Sequence, residues 1–211
     1  MEYKMSDVIK INTNNGTFQK IEKSLTIEEY KNRGQWPLDY IAGKGLIHPI
    51  KQLGDKVVGL EIGVCRGENI VFFLENCSNI ERIHCIDPYM EYNDWNGVIT
   101  QQQMNEFYEI TMKNFERHMN RITLHKDTAK NCVPLFENES LDYIFIDGDH
   151  SYSGVLSDMT NYYDKLKFGG IFSGHDINLL EVRNAIIKFR EDNKIANEVT
   201  IVENNAWYWR K

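Results

Sequence analysis

Apolar and polar positions along the chain fall into three regimes: a polar lead-in, a short helical stretch, and then strands and helices in regular alternation. Residues 1–24 carry little pattern, and Asn15-Gly16 marks a turn in a loose arm or an edge hairpin. Thr26, followed by Glu28 and Glu29, reads as the N-cap of a helix reaching Gly34, and a second helix is expected within 40–53 around His48-Pro49. The alternation begins with the apolar run 57–62, breaks into a glycine turn from Gly63 to Gly67, and continues as a helix over 69–76. A second strand, 82–86, stops at Asp87-Pro88, because proline has no N–H for the ladder. Met104, Phe107, Tyr108, Phe115 and Met119 recur at helical intervals over 101–119, ahead of a third strand at 121–124. A short helix over 129–136 leads to a fourth strand, 141–146. Val155, Met159, Tyr162 and Leu166 then define a helix that the Gly169-Gly170 turn is expected to end. The fifth strand is 171–173, Val182, Ala185, Ile186 and Phe189 mark the last helix, and 199–203 faces 206–210 across an Asn204-Asn205 hairpin turn.

Strands separated by helices require an α/β fold: a doubly wound, mostly parallel sheet with helices on both faces, here of seven strands with an antiparallel C-terminal hairpin. No repeat, linker or low-complexity run interrupts it, so 55–211 reads as one domain behind an N-terminal arm and helical cap over 1–54. A hydrophobic content of 42% in 211 residues is enough to fill one core. With 24 basic against 31 acidic residues, the net charge of −7 supplies no general field for a phosphate backbone, which argues against nucleic-acid binding. Cys65, Cys77, Cys85 and Cys132 form no Cys-x-x-Cys pair and read as reduced thiols rather than a zinc or disulfide framework. The lead-in lacks the apolar stretch of a secretory signal, and no window approaches the roughly 18 apolar residues of a membrane span. A soluble, cytoplasmic protein without a membrane partner is expected.

Sheets of this kind bind ligands beyond the carboxyl ends of their strands, near the point where strand order reverses, and each of the first five strand ends carries small or polar residues. After the first comes Glu61-x-Gly63-x-x-x-Gly67, whose glycines permit a sharp turn and close backbone approach. A tight strand-to-helix turn is the alternative reading, and the spacing departs from the Gly-x-Gly-x-x-Gly of dinucleotide enzymes. Asp87 is placed to accept hydrogen bonds from both hydroxyls of a ribose, or to cap its own turn. Asp127 and Thr128 suit an adenine amino group or the N-cap of the helix after them. The fourth strand ends in Asp147-Gly148-Asp149-His150 and the fifth in Gly174-His175-Asp176. If the two strands are neighbours, Asp147, His175 and Asp176 converge as ligands for a divalent cation, the histidine shifting preference from magnesium toward manganese, iron or zinc. Capping remains the alternative for Asp149 and Asp176. His150 aims at the same cleft and is a candidate base for removing a hydroxyl proton.

LEIGVCRGENI and IDPY resemble the first motif and the ribose-binding acid of class I S-adenosylmethionine-dependent methyltransferases. DYIFIDGDHSYSGVLSDMTNYYDKLKFGGIFSGHDI resembles, more specifically, a subfamily that includes macrocin-type O-methyltransferases and cephalosporin-hydroxylase-like proteins. The likeness runs over 57–211 and is loose before residue 55. It implies a cofactor, S-adenosylmethionine, with Glu61, Gly63 and Gly67 shaping the methionine side of its pocket, Asp87 on the ribose, and Asp127 with Thr128 beside the adenine. It implies magnesium or manganese at Asp147 and Asp176; His175 departs from the Asp or Glu usual there. His150, with Asp147, falls where relatives place catalytic groups. The activity implied is O-methylation of a sugar or another small hydroxylated molecule. Two readings compete with it, a metal-dependent hydroxylase-like member of the same fold and a non-catalytic binding domain. Trp36 to Tyr40 and the loop from Tyr89 to Trp95 are candidate specificity elements, and the edge at 206–210 is a candidate homo-oligomer contact.

Overall fold

A computed structural model describes residues 41–94 and 97–211; the lead-in turn, the helix after Thr26, the Trp36 to Tyr40 element and Trp95 lie outside them. A 3-10 turn, Lys44–Leu46, leads into a short helix α1, Ile47–Lys51. The strand-helix alternation then runs β1 Val57–Ile62, α2 Glu68–Asn76, β2 Ile80–Ile86, a hairpin of β3 Tyr92–Asp94 and β4 Gly97–Ile99, α3 Gln101–Phe115, β5 Ile122–His125, α4 Ala129–Cys132, β6 Leu141–Ile146, α5 Tyr152–Tyr162, β7 Leu166–Gly174, α6 Leu180–Asp192, β8 Thr200–Ile201 and β9 Trp207–Arg210. Seven strands form one sheet in the order β5-β2-β1-β6-β7-β9-β8. The first five are parallel; β9 runs antiparallel to β7, and β8 to β9. The expected fold class is therefore present. Among the described residues no helix is long and apolar enough to cross a membrane.

Strand alternation divides the core between the two sheet faces. Leu60, Ile62, Ile144, Ile146 and Phe172 bury against α5 and α6 through Val155, Met159, Tyr162, Ala185 and Phe189. Val57, Ile83, Cys85, Phe145 and Ile171 point the other way, against Ile70, Phe73 and Leu74 of α2 and Met104 and Phe115 of α3. Leu46 and Ile50, both fully buried, join this second cluster, so residues 41–53 pack into the same core as the sheet.

Two expectations need correction. The helix through Met159 ends at Tyr162, and Leu166 opens β7 rather than closing that helix. Leu166 is buried opposite Leu141, which satisfies the same apolar spacing from a strand, and Gly169-Gly170 sits in a bulge where the β6–β7 register shifts. Residues 206–210 are an edge only in part: β8 covers β9 at Trp207 and Tyr208 and stops there, while Trp207 and Trp209 bury over Phe172. The β8 edge is only two residues long, which leaves little ladder for another chain. The loop after Tyr89 contains the β3–β4 hairpin, whose three-residue strands are too short to show a period in the sequence.

Register is what positions the candidate site. Ile62 pairs with both Ile86 and Ile146, Ile146 with Gly174, and Ile86 with His125, so five strands end in one row. The residues just past that row form the rim. Backbone hydrogen bonds carry the ladder one step further: Gly63 donates to Ile86, Asp147 to Ile62, His175 to Ile146, and Asp87 to His125. Chain order reverses between β1 and β6, in the middle of this rim.

Candidate active site

Gly63 leaves β1 at φ +87°, and a Cβ there would lie 2.1 Å from the Asp147 carbonyl oxygen. Glycine is therefore demanded by the backbone of the adjacent strand end as well as by the turn. Two residues on, Cys65 adopts φ +51° with a side chain, and it is exposed, unlike the other three cysteines. Gly67, at φ +77°, precedes α2 and lies against the Phe115 ring. Asp87 holds this loop in shape. Its Oδ2 accepts from the amides of Val64 (2.9 Å) and Cys65 (3.0 Å), and its Oδ1 accepts from Tyr89 N–H (2.8 Å). A carboxylate offers about four acceptor positions, and backbone amides use three of them, so at most one is left for a hydroxyl. From the other side, Tyr89 donates its hydroxyl to Thr111 Oγ1 (3.0 Å), and Thr111 donates to the Cys65 carbonyl (2.7 Å).

Glu61 lies beneath the loop, 2% exposed, and accepts from Asn69 Nδ2 at 2.8 Å. Burial pushes its carboxyl well above the usual range despite that hydrogen bond. Asn69 Oδ1 in turn accepts from Gly43 N–H (2.9 Å), which ties the residues before α1 to the floor of the loop. Asp127 and Thr128 take the capping arrangement. Asp127 Oδ1 accepts from Thr128 N–H (2.7 Å) and Asn131 Nδ2 (2.8 Å), and the Thr128 hydroxyl accepts from Asn131 N–H (3.3 Å) at the start of α4. Asn131 and the Thr128 amide hold the exposed Asp127 carboxyl below its ordinary value.

The strand ends of β6 and β7 do converge. His175 Nδ1 lies 3.4 Å from Asp147 Oδ1 and 3.2 Å from Asp176 Oδ1. His150 Nε2 lies 3.5 Å from Asp147 Oδ1 and 3.0 Å from Asp176 Oδ2. Asp149 stays out of this cluster and accepts from Ser151 N–H (2.8 Å) ahead of α5. Burial alone would lower the pKa of His150, but hydrogen bonds and charge from Asp147 and Asp176 outweigh it and raise it to about 10. The same carboxylates, again against burial, lift His175 well above its ordinary value. Burial would raise Asp176, yet the two histidines hold it far below the usual carboxylate range. The cluster thus sets two imidazole rings against two carboxylates.

The far nitrogen of His175, Nε2, lies 2.6 Å from the main-chain carbonyl of Asn204. Nothing in the sequence pointed to Asn204 beyond its place in a hairpin turn, nor to Asn69 beyond its place at a helix start. Two shallow hollows elsewhere on the surface, one along α5 and one beside β8, contain none of these site residues.

Comparison with known proteins gives the arrangement a context. A family model described as a methyltransferase domain matches residues 60–177. Mycinamicin III 3''-O-methyltransferase of Micromonospora griseorubida is 25% identical over 131 residues, which are 61% of this chain and 50% of that protein. The chain thus spans about half the length of the curated relative it matches. The structure of the O-methyltransferase NovP superposes with a TM-score of 0.58 at 17% identity, over 78% of each chain. The O-methyltransferase from Bacillus cereus in complex with SAH superposes with a TM-score of 0.57 at 17% identity, over 88% of this chain and 89% of that one. At such identities the structures speak to the fold. With more than half of the chain inside the family match and the strand order in agreement, the protein belongs to the methyltransferase domain family and has the class I methyltransferase fold.

Proposed function

We propose that the chain is an S-adenosylmethionine-dependent O-methyltransferase acting on a hydroxyl of a sugar or another small molecule in the cytoplasm. The observation that carries this reading is the single register row that brings Gly63, Asp87, Asp147 and His175 to one rim, with His150 against the last two strand ends. Family membership and a relative named for methylation at an oxygen support it. In this reading the loop from Gly63 to Gly67 and Asp87 receive the adenosyl group, Asp87 accepting one ribose hydroxyl rather than two. Glu61 acts from below as a brace, and Asp127 with Thr128 borders the adenine while capping α4.

Methyl transfer is an in-line displacement at a sulfonium carbon, and the cofactor brings its own leaving group. What remains for the protein is to align the acceptor oxygen and take its proton. His150 is assigned that proton, with Asp147 orienting the ring. Both carboxylates lie against His150 and raise its affinity for that proton.

The donor set fits a divalent cation. A carbonyl oxygen has no proton to give, so His175 Nε2 carries the hydrogen toward Asn204, and Nδ1 is the nitrogen turned to the carboxylates, the one that would offer its lone pair to a cation held between them. One ligand atom each from Asp147, His175 and Asp176 lies within 4.8 Å of the others. A nitrogen beside two oxygens suits manganese, iron or zinc better than magnesium. Such an ion, when bound, supplies positive charge that favours the deprotonated acceptor.

The test uses methyl-labelled S-adenosylmethionine, a panel of sugar-bearing and simple hydroxylated acceptors, and manganese, magnesium or chelator. Label on an acceptor oxygen supports the assignment. Cofactor binding with no label transferred would leave a binding domain, and failure to bind either the cofactor or its demethylated product would overturn the reading. His150→Ala should lower kcat by about 10²–10⁴-fold with cofactor affinity within about twofold; unchanged turnover removes His150 from the mechanism.

A further inference from the structure

We propose that Asn204 is a positioning residue for this centre: its main-chain carbonyl fixes the ring of His175 so that Nδ1 faces Asp147 and Asp176. The proposal deepens the preceding reading and rests on it for the cation alone.

Three hydrogen bonds stitch the end of β7 to the turn between β8 and β9. His175 Nε2–H donates to the Asn204 carbonyl (2.6 Å), Ile177 N–H to the Asn205 carbonyl (3.2 Å), and Trp207 Nε1–H to the His175 carbonyl (3.0 Å). The last two hold the backbone on either side of Asp176, itself at φ +56°. Only the first reaches the imidazole. Turning that ring over would replace the Nε2–H donor with a carbon-bound hydrogen against the carbonyl and put Cδ2 where Nδ1 now faces both carboxylates.

The carbonyl points that way because Asn204 is left-handed, at φ +61° and ψ +31°, and Asn205 follows at φ +62°. A residue with a Cβ is about 1–2 kcal/mol less stable in that region, asparagine being among the most tolerant. A hairpin joining β8 to β9 does not require this carbonyl to meet a side chain 29 residues away. The turn is pinned from its other side as well: Asn204 Nδ2 donates to the Ile41 carbonyl (2.9 Å). One residue therefore bonds His175 with its backbone and the start of the described chain with its amide. Residues in unfavourable backbone conformations persist where the surroundings over-determine them, and they collect at functional sites. A ligating histidine whose other nitrogen is held by a carbonyl is a recurrent arrangement, and losing the holder weakens metal binding about 10–100-fold.

Two variants separate backbone from side chain. Asn204→Gly keeps the left-handed turn and the carbonyl but deletes the bond to Ile41. Asn204→Val disfavours the left-handed turn and swings the carbonyl away. Manganese affinity, measured by calorimetry without substrate, should fall about 10–100-fold in Asn204→Val and stay within about threefold in Asn204→Gly. The His175 Nε2–H resonance, followed in ¹⁵N-labelled protein, should be protected from solvent exchange in the wild type and in Asn204→Gly and lost in Asn204→Val. If Asn204→Val does not fold, Asn204→Ala is read in its place. Should the wild type bind no manganese, the cation reading fails by itself and the resonance decides the role of Asn204. An unprotected Nε2–H in the wild type, or an Asn204→Val protein with unchanged resonance, would overturn the proposal.

Discussion

Replacing Gly63 by alanine tests how the two central strand ends are joined. The added methyl would sit 2.1 Å from the Asp147 carbonyl oxygen, 2.5 Å from its carbon and 2.7 Å from Gly148 Cα. All three atoms are backbone, so no side chain can swing aside. The residue must also keep φ +87°. A left-handed or similar backbone is about 1–2 kcal/mol less stable with a Cβ, and forcing a methyl into packed surroundings typically adds about 1–3 kcal/mol. A total near 3 kcal/mol corresponds to a fall in Tm of about 6–12 °C for a domain of this size. Gly169 supplies the control: its φ is +77°, but nothing lies within 4 Å of a Cβ there. Gly169→Ala should therefore show the backbone effect alone, about 1 kcal/mol and 2–4 °C. Gly54, with open space and no positive φ, should be neutral or gain about 0.4–1 kcal/mol as alanine, through a less flexible unfolded chain. The assay is thermal unfolding of the three variants side by side. If Gly63→Ala melts within 2 °C of Gly169→Ala, the contact between β1 and β6 is looser than described and the steric argument fails.

Three further outcomes follow from other parts of the molecule. Burial, with help from His125 and Arg82, lowers the pKa of His84 from 6.5 to about 4. The unfolded chain then takes up a proton that the fold refuses, so the stability this neutral ring contributes is complete above about 6.5 and disappears as pH falls toward 4. The loss is on the order of 1–2 kcal/mol after allowing for screening of a half-buried group, and urea titrations of His84→Phe across that window should show a flatter acid limb. Asp87→Asn leaves at least one of three loop amides without an acceptor, which should reduce stability by about 1–3 kcal/mol. Calorimetry should show cofactor affinity falling by an order of magnitude or more with it, and wild-type affinity would argue against Asp87 at the ribose. Arg121 donates to the carbonyls of Leu74, Cys77 and Ile80 around the end of α2, the last at 2.6 Å. Arg121→Met should lower the unfolding free energy by about 1–3 kcal/mol, seen as a lower urea midpoint at an unchanged m-value, the sign of a local loss in an otherwise intact fold.

Most of the fold was legible because it is written locally. The apolar runs at 57–62 and 141–146 fall on β1 and β6, whose strands keep those residues buried, and the spacing of Val155, Met159 and Tyr162 marks the face that α5 buries. Where the reading slipped, a local signal had two solutions. Leu166 suits a helix spaced from Tyr162 and a strand opposite Leu141 equally well, and only pairing with β6 chose between them. The alternating Trp207 and Trp209 announced a strand but not its neighbours.

For the site, the acids and histidines at the strand ends could be named from the sequence, since strand ends are where glycine, aspartate and proline interrupt apolar runs. That they form one rim depends on parallel register, which no single strand encodes. Tertiary structure alone decided that Asp87 spends three of its acceptor positions on its own loop, that Glu61 is buried against Asn69, and that Asp127 is engaged in a cap. It alone brought Asn204 to His175, across 29 residues and a different pair of strands. Residue type and period determine which groups a chain can offer; the direction a ring faces, and the charge it carries, are set by neighbours that only the packed sheet supplies.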